Sequence, residues 1–389
     1  MRCLICLSLA LWSTSAFAQN VAPNDNTLTP MEVTDGWLLL FDGDSDFGWR
    51  GDGVVKADGG KLTITGAGME GPSARHGGWF QNFELQFDYS APVPSLGAIL
   101  SFIRDDRETK SPFIVLRAPK EGAWWKAQVT VEATQSSLSI FIGDKKNTFK
   151  IEAPVGAVQL KWSVPKGSTL YLKNVKLRPL GLKSIFNGKD LTGWKEYPGK
   201  KSKFSITPGG EINIKDAPGD LQTEAKYDDF TLQLECVSNG KHLNSGVFFR
   251  CRPNEYQNGY EAQIRNQFTT EPTQEYTLED YDPLTHKLVA KKKAKFTAVD
   301  YGTGAIYRRQ PARKEVAKDG EWFTFTILAH KNHFLTWVNG IQVADWTDNR
   351  PPSDNARTGC RLEAGHLSLQ GHDPTTDLSF RNFRIAAIK

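Results

Sequence analysis

The sequence predicts an all-β protein built as two tandem antiparallel sandwiches, and three observations predict it. The first is repetition: Phe41-Asp42-Gly43 followed by Gly48-Trp49 recurs in identical register as Phe186-Asn187-Gly188 followed by Gly193-Trp194. Likewise Phe83-Glu84-Leu85-Gln86-Phe87-Asp88 recurs as Phe230-Thr231-Leu232-Gln233-Leu234-Glu235. A solenoid repeats every ~20–50 residues, so a copy this distant is a second domain. The second observation is period-two alternation of apolar and polar residues, broken every roughly eight to twelve residues by Gly, Pro or Asn. The third is that no window shows sustained helical spacing.

In chain order, residues 1–18 read as an export signal. Arg2 supplies a basic start, Leu4 to Trp12 an apolar stretch, and Ala16-Phe17-Ala18 a small-x-small cleavage site. The stretch is too short to span a bilayer as a helix, and no comparable run follows, so no integral membrane segment is expected after cleavage. Export to the periplasm or the extracellular space is the expected localisation. Residues 19–35, rich in Asn, Pro and Thr, read as a flexible leader. The first sandwich is expected at 36–179 and the second at 181–389. A junction this short predicts that the two pack together.

Strand signals fill both copies. In the first they are Lys61 to Thr65, Phe83 to Phe87 and Leu138 to Ile142, the last followed by Gly143-Asp144. In the second, Phe230 to Glu235 is predicted to form a hairpin with Ser245 to Arg250 through Ser238-Asn239-Gly240. Trp322 to Leu328 leads into Phe334 to Val338, and Asn339-Gly340 turns that strand into Ile341-Gln342-Val343, Asn-Gly being the strongest short-range hairpin signal. Leu170 to Val175 and Leu378 to Phe383 close the two copies.

Composition excludes several classes. The formal net charge is +4, and Lys291-Lys292-Lys293, the one dense basic run, reads as a solvated loop or strand edge rather than a nucleic-acid site. Cys236, Cys251 and Cys360 remain after cleavage. An odd number without CxxC or metal-knuckle spacing predicts buried structural thiols rather than a disulfide framework. There is no Gly-x-Ser-x-Gly elbow, phosphate loop or His-Glu-x-x-His helix, and no cofactor motif is evident.

Six segments of the second copy resemble the 3-keto-disaccharide hydrolase domain family: Phe186 to Trp194, Asn244 to Arg250, Gly259 to Ile264, Thr303 to Tyr307, Trp337 to Gly340 and Leu369 to His372. The resemblance covers essentially all of 181–389. In the first copy it is confined to the opening motif and the strand skeleton. It implies a concanavalin A-like jelly-roll sandwich and cleavage of a glycoside whose sugar carries a ketone at C3.

Alternation places Glu261, Gln263, Phe248, Arg250, Gln370 and His372 on one face if their strands are neighbours. Jelly-roll proteins bind sugars on such a face through aromatic stacking and amide or carboxylate contacts. A solvated antiparallel face also alternates. The first copy argues against that bland reading, because alignment sets Pro112, Ile114 and Leu116 against Gly259, Glu261 and Gln263, and Lys161 and Ser163 against Gln370 and His372. The first copy also lacks most of 252–318, a long segment expected to be an irregular lid or binding loop. It carries Tyr256, Glu279-Asp280-Tyr281-Asp282, His286 and Tyr301.

An ordinary glycosidase needs two carboxylates beside the scissile bond, and the face offers one, Glu261. A C3 ketone acidifies the C2 proton, so a base can form an enolate that expels the C1 substituent, after which water adds back. Glu261 and His372 are the candidate acid–base residues, unassigned between the two roles, and Arg250, Gln263, Gln370, Phe248 and Tyr256 the candidate substrate contacts. Alternatively, His372, Glu261 and a loop acid hold a divalent cation that polarises the ketone. A noncatalytic carbohydrate-binding or cell-surface module is the alternative function.

Overall fold

The computed structural model describes residues 25–389 apart from 52–53, 68–71, 93–96, 105–112, 119, 133–135, 143–144 and 152–155. The predicted export signal, Pro112 and the Gly143-Asp144 turn lie outside the described residues.

Each copy is a sandwich of an eight-stranded and a five-stranded antiparallel sheet. The small sheet of the first copy runs Trp49–Arg50, Ala74–Phe80, Val158–Ser163, Ala98–Arg104, Phe113–Leu116. That of the second runs Trp194–Glu196, Gly219–Thr223, His366–Gly371, Ser245–Cys251, Tyr260–Ile264, with the same connectivity. The large sheets match as well: Phe83–Ser90 lies between Trp125–Val131 and Thr169–Pro179, just as Phe230–Ser238 lies between Phe323–His330 and Asp377–Ala387.

The repeated Gly–Trp motif folds twice in the same way. The Asp42 and Asn187 side-chain oxygens each accept two backbone N–H groups just downstream, closing an Asx turn. Gly48 and Gly193 follow at φ 84° and 85°, a conformation that suits glycine. The Trp49 indole then donates to the Leu40 carbonyl, and that of Trp194 to the Ile185 carbonyl. The motif therefore pins the chain entry to the sandwich edge.

The sandwiches share a continuous apolar junction. Leu328, Leu335 and Trp337 turn away from the second core and join the first. The Trp337 indole donates to Leu39 O, and Leu39 N donates to Gly340 O. Beside them Asp345, 3% exposed at its side chain, accepts from Arg50 at 2.6 Å and contacts His333 Nε2 at 2.7 Å. These contacts lie on the large sheet of the second sandwich, leaving the outer face of its small sheet uncovered by the first copy.

Four expectations change. The visible end of the leader is ordered: Thr29 and Glu32 form a capping box on the helix Pro30–Thr34, Lys176 pairs with Glu32, and Asn26 exchanges hydrogen bonds with Asn174. Phe230–Ser238 and Ser245–Cys251 are not a hairpin but strands of opposite sheets. The six residues between them are too many for a two-residue turn, and they carry the chain across the core. The segment expected to be irregular contains a hairpin of Gln274–Tyr281 with Leu288–Phe296, clamped by Glu275–Lys293 and Glu279–Lys291 ion pairs. Finally, Ile114 and Leu116 face the first core, and Phe113 and Val115 point outward at 61% and 41% exposure. The alignment through Phe83 and Phe230 is therefore slipped by one residue here, which exchanges the two faces of the strand. The three cysteines are free and buried.

Candidate functional site

The cleft of interest lies on the outer face of the second small sheet. Along Tyr260–Ile264, the residues Tyr260, Ala262 and Ile264 enter the core, which turns Glu261 outward. Gly246, on the neighbouring strand, makes the room: a Cβ there would sit 2.7 Å from Glu261 Oε1. On the other side the chain at 303–307 adds to the sheet edge, with Gly304 N donating to Gln263 O and Tyr307 N to Glu261 O. Gly304 permits this at φ 92°, where a Cβ would collide with Val343 at 2.2 Å. The addition brings Tyr307, Arg308 and Arg309 beside Glu261.

The resulting cleft is lined by Glu261, His372, Gln370 and Phe248, together with Asn244 and an arginine wall of Arg308, Arg309 and Arg357. The structure thus brings together four of the seven residues singled out in the sequence.

The other three take different places. Gln263 lies behind the cleft, donating to Asp300 O at 3.0 Å and reaching Asn244 Oδ1 at 3.4 Å. Tyr256 stands one layer out, its hydroxyl accepting from Gln257, its ring 5.4 Å from Tyr197 and capped by Lys200. Arg250 leaves the site altogether. A register shift after Phe248 and a φ of 51° at Arg250 turn its side chain away. Fully buried, it donates to the carbonyls of Asp228, Lys331 and Arg361 and pairs with Asp229 at 2.7 Å. It ties loops together rather than meeting a ligand.

The electrostatics separate the titratable groups. Burial pushes the Glu261 carboxyl up to about 8, with Arg357 pulling it down and Asp300 adding to the rise. The acid therefore carries its proton at neutral pH. His372 Nδ1 lies 2.9 Å from Asp373 Oδ1. A donating Nδ1–H leaves Nε2 as the ring's basic atom. Asp373 in turn accepts from Asn244 N at 2.8 Å, and Asn244 Nδ2 donates to Asp300 at 2.7 Å. His372 is thereby tied to the cleft wall.

Asp220 is a second acid that the sequence reading missed. It sits opposite Gln370 on Gly219–Thr223, fully buried, and burial lifts it to about 6 against hydrogen bonds from Gln257. The signal was the same alternation used for Glu261, in a strand of equal length where Leu221 is the one large apolar residue. Beneath the cleft, Asp220 Oδ1, Gln263 Oε1, Ser368 Oγ and Gln370 Oε1 are buried without a hydrogen-bond partner in the protein. Buried polar atoms are rarely left so, and ligand hydroxyls or bound water satisfy a row of this kind. Among the described residues, no three His, Cys, Asp or Glu side chains converge as a metal cluster. No helix among them is long and apolar enough to cross a membrane.

Comparison with known proteins bears on this site. The profile of the 3-keto-alpha-glucoside-1,2-lyase-like domain matches residues 181–386. A 3-keto-disaccharide hydrolase of Bacteroides thetaiotaomicron is 25% identical over 277 residues, covering 60% of this chain and 91% of that protein. Among solved structures, a candidate glycosyl hydrolase of Parabacteroides distasonis is 22% identical with a TM-score of 0.39, covering 54% of this chain and 94% of its own. A carbohydrate-binding module from Bacillus subtilis is 14% identical with a TM-score of 0.32, covering 51% and 98%.

Proposed function

The chain belongs to the 3-keto-alpha-glucoside-1,2-lyase-like domain family, and from that premise we propose that its second sandwich cleaves 3-keto-glycosides by elimination followed by hydration. One observation carries the reading: a carboxyl that burial lifts to about 8 and a carboxylate-oriented histidine line the same cleft. A carboxyl lifted by burial and an imidazole whose Nδ1 faces Asp373, leaving Nε2 toward the cleft, suit one acid and one base.

In this mechanism His372 Nε2 removes the proton from C2, which the neighbouring C3 ketone acidifies. The electron pair moves into a C2–C3 enolate and then expels the C1 oxygen, to which Glu261 delivers its proton. The aglycone leaves with that proton and a 1,2-ene-3-ketone remains. Water adds at C1, a proton returns to C2, and the net reaction is hydrolysis. Donors in the cleft, Asn244 and the Gln370 amide, are placed to receive the enolate oxygen. Positioned acid–base groups contribute roughly 10²–10⁴ each, which makes this pair the main chemical resource of the site. The small-x-small pattern at Ala16-Phe17-Ala18 supports an exported enzyme.

The test is aglycone release from a 3-keto-glucoside and from the same glucoside unoxidised. Release from the 3-keto compound alone is expected. Equal rates contradict the mechanism, and binding without turnover makes the protein a carbohydrate-binding module. Loss of turnover on chelation, restored by a divalent cation, would instead assign Glu261 and His372 to a metal.

A further inference from the structure

A second cleft adjoins the first and shares Arg308 and Arg309 with it. Its remaining walls are Thr277, Glu279 and Tyr281 of the inserted hairpin on one side and Trp346 and Arg350 on the other. Charges at its far end are already matched. Arg350 grips Asp348 at 2.7 and 2.8 Å, and Glu279 is paired with Lys291 at 2.7 Å while accepting from the Tyr281 hydroxyl.

Arg308 and Arg309 are different. Arg308 lies 5.4 Å from the Tyr307 ring centroid, and Arg309 donates to the Arg357 carbonyl. Among the described residues neither forms an ion pair with a carboxylate. Burial and the nearby Arg350 push Arg309 below its ordinary value, while Asp348 and Glu279, each already paired with another cation, pull the other way. Two guanidinium groups between two connected clefts, one wall aromatic, form a fork for an oxyanion.

We propose that this second cleft is the leaving-group subsite and selects aglycones that carry an oxyanion, a carboxylate or a sulfate, held between Arg308 and Arg309 with the aglycone body against Trp346 and Tyr281. The proposal rests on the 3-keto-glycoside reading for the role of the first cleft, and not for the existence of the anion site. The inserted hairpin, absent from the first sandwich, then has a function: it closes the subsite that the arginines charge.

The experiment compares three 3-keto-glucosides that differ at one position of the aglycone: 4-carboxyphenyl, 4-sulfooxyphenyl and the neutral 4-carbamoylphenyl. Calorimetric binding of 4-hydroxybenzoate and 4-hydroxybenzamide is measured in parallel. A charge-assisted Arg contact predicts a kcat/KM preference of roughly 10-fold or more for an anionic aglycone over the amide. The carboxylate and sulfate arms identify which oxyanion fits. The Arg308→Gln/Arg309→Gln double variant should bring the ratio close to one and abolish 4-hydroxybenzoate binding. Equal kcat/KM for acid and amide, or a preference that survives the double variant, overturns the proposal while leaving the 3-keto chemistry intact. If no 3-keto-glucoside turns over, Arg-dependent binding of 4-hydroxybenzoate still upholds the anion site, and its absence refutes it.

Discussion

The two sandwiches have the same strand order in both sheets and the same Asx–Gly–Trp device at their entry, yet the outer faces of their small sheets share almost nothing. In the second copy that face carries Asp220, Glu261, Gln263, Ser368 and Gln370, several with buried polar atoms lacking a protein partner. In the first it carries Arg75, Gln159 and Lys161, with Phe113 and Val115 at the edge. Gln159 donates its amide to the Gly77 carbonyl, and partial burial, helped by Arg75, holds Lys161 below its ordinary value. The core-facing residues at every other position are apolar in both copies and hold the sheets together, while the alternate positions differ and in the second copy line a cleft. Insertions finish the difference: the 303–309 segment and the hairpin at 274–296 wall the second cleft and have no counterpart of similar length in the first. Fold and function therefore separate along one strand, residue by residue.

The sharpest way to break the comparison is to remove the chemistry from one copy only. His372→Ala and Glu261→Gln should each lower turnover by roughly 10²–10⁴ with the far-UV spectrum unchanged, since both side chains leave the core. Lys161→Ala, on the equivalent face of the first copy, should leave turnover within twofold. A comparable loss from Lys161→Ala would give the first copy a part in the reaction.

Next in size is the junction. Trp337 is fully buried and packs into the first core although it belongs to the second. Truncating it to Ala should cost about 3–5 kcal/mol, and calorimetry should show one transition for the parent and two for the variant. A single unshifted transition would mean that the sandwiches are stable independently. Asp345 gives this junction a pH dependence of known sign. His333 and Arg50 hold its carboxyl well below the usual carboxylate range against the cost of burial. Its contribution is present above the unfolded value near 3.9 and is lost as pH falls through the depressed native one.

How much of this was legible before the structure depends on which signal a residue leaves. Glu261, Phe248, Gln370 and His372 were found by alternation because the period is unbroken up to each of them. Arg250 was misplaced because a bulge, which a single sequence does not announce, reverses parity between Phe248 and Cys251. Ile114 and Leu116 were assigned to the wrong face by a one-residue slip carried from Phe83 over a loop. The hairpin at 274–296 escaped although Tyr276 and Leu278 alternate with Glu275, Thr277 and Glu279, because the run Lys291-Lys292-Lys293 masks the contrast on the paired strand. The arginine wall escaped for a related reason: Arg308, Arg309 and Arg357 sit on turns, where spacing carries no information about direction. The capping box at Thr29 and Glu32 was readable and was passed over among Asn and Pro.

The smallest effect separates the two roles of Glu261. Its raised native value means that folding binds a proton between about 4.5 and about 8. The stability it contributes is present below its unfolded value and is lost as pH rises through about 8. Glu261→Gln should therefore be more stable than the parent above pH 8, by about 1–2 kcal/mol after allowance for solvent reaching the cleft. The two should converge near pH 4. Turnover of the parent should fall over the same alkaline range as the acid loses its proton. An activity that instead rises through pH 8 would make Glu261 the base.

The central claim is that the second sandwich breaks the glycosidic bond through a carbanion at C2. Turnover of a 3-keto-glucoside in deuterated water, followed by proton NMR of the released 3-keto sugar, tests it most directly. His372 is 47% exposed at its side chain, so a proton it removes exchanges with solvent before one is returned. The account predicts deuterium at C2 of the product, and none in substrate incubated with His372→Ala. Aglycone release with the original C2 proton fully retained would contradict it.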